Sequence, residues 1–420
     1  MATLVMKFGG TSVANIERIR NVALHVKREV DAGNRVAVVV SAMAGTTNQL
    51  VGWVRETSLL HDAREYDAIV ASGENVTAGL LAIALQSMGV QARSWQGWQI
   101  PILTDKAHGA ARIVDVKGEK LRERLAGGEV AVVTGFQGLE PERNRLATLG
   151  RGGSDTSAVA IAVAIKADLC DIYTDVDGVY TTDPRIVPKA QRLPKISYEE
   201  MLEMASLGSK VLQTRSVELA MVHGMRTRVL SSFVPPDEMK PARPDTWDEI
   251  GTIVCDEDEI VETQVVSGIA YSKDEAKVTL RGIADRPGIA AAIFGPLAEA
   301  SINVDMIVQN LSGDGRSTDM TFTVLEADLP RAVEVLKSAR DTIGAFDVDS
   351  SADVVKVSVI GIGMRSHAGV AADMFRALAE KGINILAITT SEIKISVLID
   401  SAYSELAVRT LHSLYGLDAE

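Results

Sequence analysis

The chain has 420 residues, 46% hydrophobic and 24% charged, with a formal net charge of −13. That length exceeds what one hydrophobic core supports, so two or three domains are expected, and the acidic balance argues against general nucleic-acid binding, which needs a basic face. Cys170 and Cys255 lie far apart without a C-x-x-C, which predicts a reducing, cytoplasmic setting, and no apolar run approaches the ~18 residues of a membrane span.

The first residues read as a strand, Leu4–Phe8, with no basic segment before a long apolar run. Further β-branched runs follow at Arg35–Val40, Val130–Thr134 and Asp171–Thr174, with helical patterns such as Ile16–Ala32 and Asn75–Met88 between them. This alternation predicts an α/β fold, a mainly parallel sheet sandwiched by helices, with ligands beyond the carboxyl ends of the strands. Four of the 12 prolines, Pro235, Pro236, Pro241 and Pro244, then fall within ten residues and suggest a linker or an irregular crossover. The expected division is a catalytic domain over 1–233, a linker or crossover over 234–262, and two modules over 263–344 and 345–420. The last two rest on an internal repeat. Val278–Ile307 and Val357–Ile388 both read strand, glycine loop, helix and strand, pairing Gly282 with Gly361, Gly288 with Gly369, Phe294 with Phe375 and Asn303 with Asn384. Duplicated units of this size predict two ferredoxin-like βαββαβ modules.

The chemistry-bearing motifs sit at the predicted strand ends. Lys7-Phe8-Gly9-Gly10-Thr11-Ser12 offers a point charge and bare backbone to phosphate oxygens, although Lys7 also reads as a solvated strand-end lysine. G-x-x-x-x-G-K-[ST] does not occur, and neither does G-x-G-x-x-G, which disfavours a common P-loop and a nicotinamide dehydrogenase. Ser41–Asn48 is rich in small hydroxyl residues, an ordinary loop in isolation. Glu74 either receives an ammonium or simply favours a helix N-terminus. Gly150-Arg151-Gly152-Gly153-Ser154-Asp155 reads as a glycine turn before a helix, with Ser154 or Asp155 as its cap and Arg151 as a forked donor for a carboxylate or phosphate. Thr174 to Arg185 is either a well-formed turn or a loop holding a purine and ribose through Tyr180 and Asp183. Lys210 begins another predicted helix.

Together, Lys7–Ser12, the Ser41–Thr47 loop, Ser72–Glu74, Gly150–Asp155, Thr174–Arg185 and Gly208–Lys210 closely resemble the aspartate kinases of the amino-acid kinase family, in their shorter, monofunctional form. The C-terminal repeats resemble the ACT modules of the same enzymes. The resemblance implies γ-phosphoryl transfer from ATP to the side-chain carboxylate of L-aspartate, with Mg²⁺ bridging the ATP oxygens and no separate protein metal site. It implies that Lys7 and Lys210 meet the transferring phosphoryl group and that Asp155 holds both lysines. Gly9, Gly10, Gly152 and Gly153 would present backbone N–H groups. Glu74 would take the substrate ammonium and Arg151 its α-carboxylate, with Ser41, Thr47 and Ser154 beside them. Thr174, Asp175, Tyr180, Asp183 and Arg185 would line the nucleotide site. For the repeats it implies control by lysine, threonine or both through Asp285, Gln309, Asn303, Asn384 and Ile385, and homo- or hetero-oligomers joined through the ACT modules. No nucleic-acid or membrane partner is expected. The rival expectations are another amino-acid kinase, acting on an N-acetylated or phosphate acceptor, and a non-catalytic amino-acid sensor.

Overall fold

The computed structural model describes residues 1–208, 211–260, 264–311, 317–344, 346–367 and 369–418. They fall into two compact units, the first comprising Met1–Val179, Arg192–Ala205 and Lys210–Val261, the second Tyr180–Gln191, Ser206–Ser209 and Glu262–Glu420.

The first unit is built on an eight-stranded sheet. Its order runs Lys195–Ser197, Thr252–Cys255, Thr227–Ser231, Leu169–Thr174, Thr3–Phe8, Arg35–Val40, Val130–Thr134 and Ala92–Trp95. The six strands from Thr227–Ser231 to Ala92–Trp95 are mutually parallel. Parallel strands are covered on both faces, which is why Arg35–Val40 and Val130–Thr134 are near-continuous apolar runs, buried along their length. Because side chains alternate, Met6, Phe8, Val36, Val38 and Val40 share one face with Ile19, Val22 and Val26 of helix Ile16–Asp31 and with Ala78, Leu81 and Leu85 of helix Ser72–Ser87. Lys7 therefore points to the other face, where helix Gly153–Ile165 packs on the central strands with nearly every residue buried. A buried ion pair ties two of those strands together. Arg228 donates to both oxygens of Asp171 at 2.8 and 2.9 Å across the register position they share.

Two expectations about this unit are corrected. The 234–262 stretch is not a free linker, because its β-branched Thr252–Cys255 enters the sheet and Ala242 and Trp247 enter a core. Tyr180–Gln191, expected inside the catalytic domain, belongs to the second unit, where Ile186, Val187 and Ala190 are core residues. The helical stretch Ala63–Ser87 is not an uninterrupted apolar run, since Arg64, Glu65, Asp67 and Glu74 fall within it; it reaches the length and mean hydropathy of a membrane span, and half of its most apolar window is buried in the protein.

The second unit holds two four-stranded antiparallel sheets with two separate cores. In the first, Val304–Leu311, Ser317–Leu325, Glu275–Ala284 and Asp347–Ser351 lie side by side, covered by helices Ile289–Glu299 and Leu329–Ser338. In the second the order is Gly268–Ser272, Val354–Ile360, Lys394–Asp400 and Ile385–Thr390, with helices Val370–Glu380 and Ser404–Leu414. The expected boundaries cut across both sheets. Gly268–Ser272 precedes the first module in the chain yet completes the second, pairing Gly268 with Ile360, while Asp347–Ser351 pairs with Glu275–Ala284 of the first. The two modules are thus interleaved. The repeat is visible in space, since Gly288 and Gly369 both stand in left-handed conformation before the matching helices.

Candidate active site

The strand registers place Phe8 level with Val40 and Tyr173, Val40 level with Thr134, and Thr174 level with Ser231. Five neighbouring parallel strands therefore end together, and the segments leaving them carry Gly9, Ser41, Gly135, Asp175 and Ser232. This is the edge at which an open α/β sheet binds ligands.

Lys7 lies one residue before its strand ends. Its Nζ stands 2.6 Å from Oδ1 of Asp155, both side chains about one-tenth exposed. Asp155 is in the first turn of helix Gly153–Ile165, so the carboxylate sits at the positive end of the helix while neutralising the lysine. This corrects the expected cap. The helix starts behind Gly152, in left-handed conformation at φ 69°, and neither Ser154 nor Asp155 caps it. A side chain on Gly152 would have to displace Gln213, because a Cβ would fall 1.9 Å from its Cγ. The Gly153 N–H donates to Gly150 O at 3.0 Å, so it closes the turn instead of facing outward, and the Gly9 N–H leans on Tyr173 O at 3.4 Å. Gly10 opens a short 3-10 turn. Arg151 is exposed and has no hydrogen-bond or ion-pair partner among the described residues. Ser154 is buried beneath it in the chain.

The opposite wall is made by the next strand end. Ser41, half-buried, donates its N–H to Phe8 O at 3.1 Å, and Thr47 lies at the start of helix Thr46–Thr57. Helix Ser72–Ser87 begins against this loop so closely that a Cβ on Gly73 would come within 2.7 Å of the Ala42 Cβ. Glu74, expected just before that helix, is in its first turn and is driven under the loop, 3% exposed. Its Oε1 accepts the Ala42 N–H at 3.0 Å, while Oε2 is buried with no partner among the described residues. Burial pushes its pKa up to about 7, against the backbone N–H groups that favour the charged form.

At the third strand end Thr174 donates to Asp175 at 3.1 Å, and Asp175 is exposed. Tyr180, Asp183 and Arg185 belong to the second unit. There Asp183 is held below the usual carboxylate range by hydrogen bonds from Arg185 and from its backbone, and Tyr271 also donates to it at 3.1 Å. Lys210 lies outside the described residues. Among the described residues no three His, Cys, Asp or Glu side chains group so as to hold a metal ion.

Two features were missed by sequence reasoning. Ser232 bridges the site's base, with its hydroxyl accepting from Ser12 at 2.8 Å and its N–H donating to Thr174 O at 2.9 Å. The signal was present, since Ser231-Ser232 follows a β-branched run as Ser41 does. Phe136 takes φ 68° beyond the Val130–Thr134 strand, a left-handed conformation that a bulky residue adopts only when its surroundings impose it. In the second unit, Asp285 and Gln309 come together in a hollow of about 410 Å³ with Arg286, Gly288 and Ile289. Asn303, Asn384 and Ile385 do not line it; Asn303 and Asn384 are exposed before their strands.

Comparison with known proteins gives three matches within the chain. Residues 2–231 match the amino acid kinase family, and residues 278–341 and 357–415 each match the ACT domain. The chain is 52% identical to the aspartate kinase Ask_LysC of Stutzerimonas stutzeri, over all of this chain and 98% of that one. Among solved structures it resembles E. coli aspartokinase III in complex with aspartate and ADP, with a TM-score of 0.78 at 27% identity, over 98% of this chain and 99% of that one. The same enzyme in complex with lysine and aspartate gives 0.73, also at 27% identity and over the same shares of the two chains.

Proposed function

The chain belongs to the aspartokinase branch of the amino acid kinase family and is an aspartate kinase, and from that premise we propose how its residues carry the transfer of the ATP γ-phosphoryl group to the β-carboxylate of L-aspartate. The acceptor, with a solution pKa near ~4, is ionised at neutral pH and needs no general base. The difficulty is to seat an anion against a polyanion, so positioning and charge neutralisation set the rate. Lys7, oriented by Asp155, meets the phosphoryl oxygens, and Lys210 joins it. Mg²⁺, when bound with the nucleotide, would add positive charge against the phosphate oxygens beside Lys7 and Lys210. Gly9, Gly10 and Gly152 keep the backbone open to the ligands. Thr174, Asp175, Tyr180, Asp183 and Arg185 attend the nucleotide.

The observation that carries the amino-acid side is Glu74. A buried carboxylate with one oxygen unpartnered fits an α-ammonium, which completes its hydrogen bonding and charge at once. An N-acetylated acceptor has no such group to give. Arg151, exposed and uncommitted, pairs with the α-carboxylate, and Ser41, Thr47 and Ser154 fix the remainder of the substrate. Lysine, threonine or both bind the hollow at Asp285 and Gln309, with Asn303, Asn384 and Ile385 completing sites between paired copies. The edge strands Val304–Leu311 and Ile385–Thr390, which expose Ile307, Leu311, Leu386 and Ile388, supply the contact for homo- or hetero-oligomers. A cytoplasmic location accords with two buried, unpaired cysteines.

The test is an ATP-dependent assay trapping the acyl phosphate with hydroxylamine. Product is expected from L-aspartate and none from N-acetyl-L-aspartate, and lysine and threonine are added singly and together. Lys7→Ala is expected to lower kcat by at least ~10²-fold, and Arg151→Ala to raise the KM for aspartate far more than that for ATP. Near-normal turnover without Lys7 contradicts its role.

A further inference from the structure

We propose that Arg215 is a positioning residue that sets Arg151 for the amino-acid substrate, an inference that rests on the aspartate kinase reading above. Arg215 is the second residue of helix Thr214–His223 and is half-buried. Its Nη1 donates to Leu149 O at 2.6 Å and its Nη2 to Ala111 O at 2.9 Å. Among the described residues it makes no ion pair. Its charge is spent on two main-chain carbonyls.

Those carbonyls are the rails of the glycine loop. Leu149 is fully buried and immediately precedes Gly150, and its own N–H donates to Phe136 O at 2.9 Å. With both backbone groups taken, Leu149 is a fixed post. The Ala111 N–H donates to Thr148 O at 2.9 Å, so the fork of Arg215 closes a bracket around residues 148 and 149. Asp67 braces the same bracket from beneath. Its buried carboxylate accepts from the Thr148 hydroxyl at 2.5 Å and from the Gly109 N–H at 3.1 Å. Beyond the post, Gly150 and Gly152 turn at φ 74° and 69°, and Gln213 occupies the space a Cβ on Gly152 would need. The short stretch Gln213–Arg215 thus touches the loop two residues before Arg151 and one residue after it.

Arg151 has no side-chain partner of its own among the described residues, so the backbone alone decides where its guanidinium starts. An arginine clamp on that backbone keeps few of the loop's conformations available, which is pre-organisation for a bidentate carboxylate contact. The clamp also belongs to the segment that carries Lys210, five residues earlier in the chain.

The experiment compares Arg215→Ala, Arg215→Lys, Arg151→Ala and the double variant Arg215→Ala/Arg151→Ala in the full chain. KM is measured for aspartate and for ATP separately, alongside thermal unfolding. Arg215→Ala is expected to raise the KM for aspartate by about tenfold or more, with the KM for ATP within ~2-fold. In the Arg151→Ala background the same change should add no more than ~2-fold, because its effect passes through Arg151. Arg215→Lys, able to reach one carbonyl but not both, should fall between, and it carries the test should the alanine variant fail to fold. Equal, additive effects in both backgrounds overturn the proposal, as does a parallel rise of both KM values with a loss of Tm. Wild-type protein that yields no hydroxamate from L-aspartate would instead defeat the functional reading, whatever Arg215 does.

Discussion

Burying Glu74 removes its carboxylate from water, and the hydrogen bonds it receives do not replace what is lost, so its pKa rises from 4.5 to about 7. Between those values the folded protein binds a proton that the unfolded chain has already released. Stability from this group is therefore fully present below pH 4.5 and is lost as pH rises through 7. Glu74→Gln removes that loss. The ligand-free variant is expected to gain on the order of 1–3 kcal/mol above pH 7, read as a higher Tm at pH 8, with little change near pH 4. Function should move the other way. In the wild type the KM for aspartate is expected to rise as Glu74 is protonated below about pH 7, whereas the variant should show a high KM without that pH dependence. A variant that keeps the wild-type pH profile would place the ammonium elsewhere. In the proposed reading, binding of the substrate ammonium restores the stability withheld in the empty protein.

In the proposed reading the glycine loop and its helix serve both substrates, and Gly152 is the loop's least replaceable position. Alanine there must hold φ 69° and also displace Gln213, whose Cβ and Cγ both lie within 2.6 Å of the added carbon. Gly152→Ala is expected to destabilise the protein by about 1–3 kcal/mol and to weaken aspartate binding. Adding Gln213→Gly should recover the steric part and leave about 1 kcal/mol of backbone strain, measured by denaturant titration. No recovery would mean that conformation alone sets the loss. Elements of this kind were unequally legible in the sequence. Arg35–Val40 and Val130–Thr134 have the predicted bounds because strands buried on both faces must be apolar throughout. Helix Ser72–Ser87 begins three residues earlier than predicted, since its start is fixed by Gly73 packing on Ala42 and not by a capping side chain. The motif residues announced themselves as glycines and charges at strand ends. Arg215 and Asp67 did not, because their partners, backbone groups for Arg215 and a hydroxyl, an imidazole and a backbone N–H for Asp67, lie far off in sequence.

At the scale of the molecule, the two C-terminal modules are joined by a buried charge. Lys356, 4% exposed on a strand of the second module, reaches Glu275 at 2.5 Å and Asp305 at 2.8 Å, both on strands of the first. Burial alone would lower its pKa, and the two carboxylates more than reverse this. Lys356→Met leaves Glu275 buried without its partner and should destabilise the second unit by about 3–5 kcal/mol, while Lys356→Met with Glu275→Gln should recover much of that. Calorimetry resolves the outcome; an unchanged transition in the single variant would show that the cluster contributes no net stability. The repeat behind these modules was readable, because loop glycines and helix patterns recur in step. Which strand closes which sheet was not, since Gly268–Ser272 and Asp347–Ser351 are short runs that pattern alone assigns to the nearest neighbour. The interleaving bears on how the chain is made. Gly268–Ser272 leaves the ribosome roughly ninety residues ahead of the strand it pairs with. It must wait, unpaired, while the first module folds between the two halves of the second. A C-terminal fragment that starts after Ser272 would leave Val354–Ile360 with a bare edge, so a self-sufficient shorter chain has to begin upstream of Gly268.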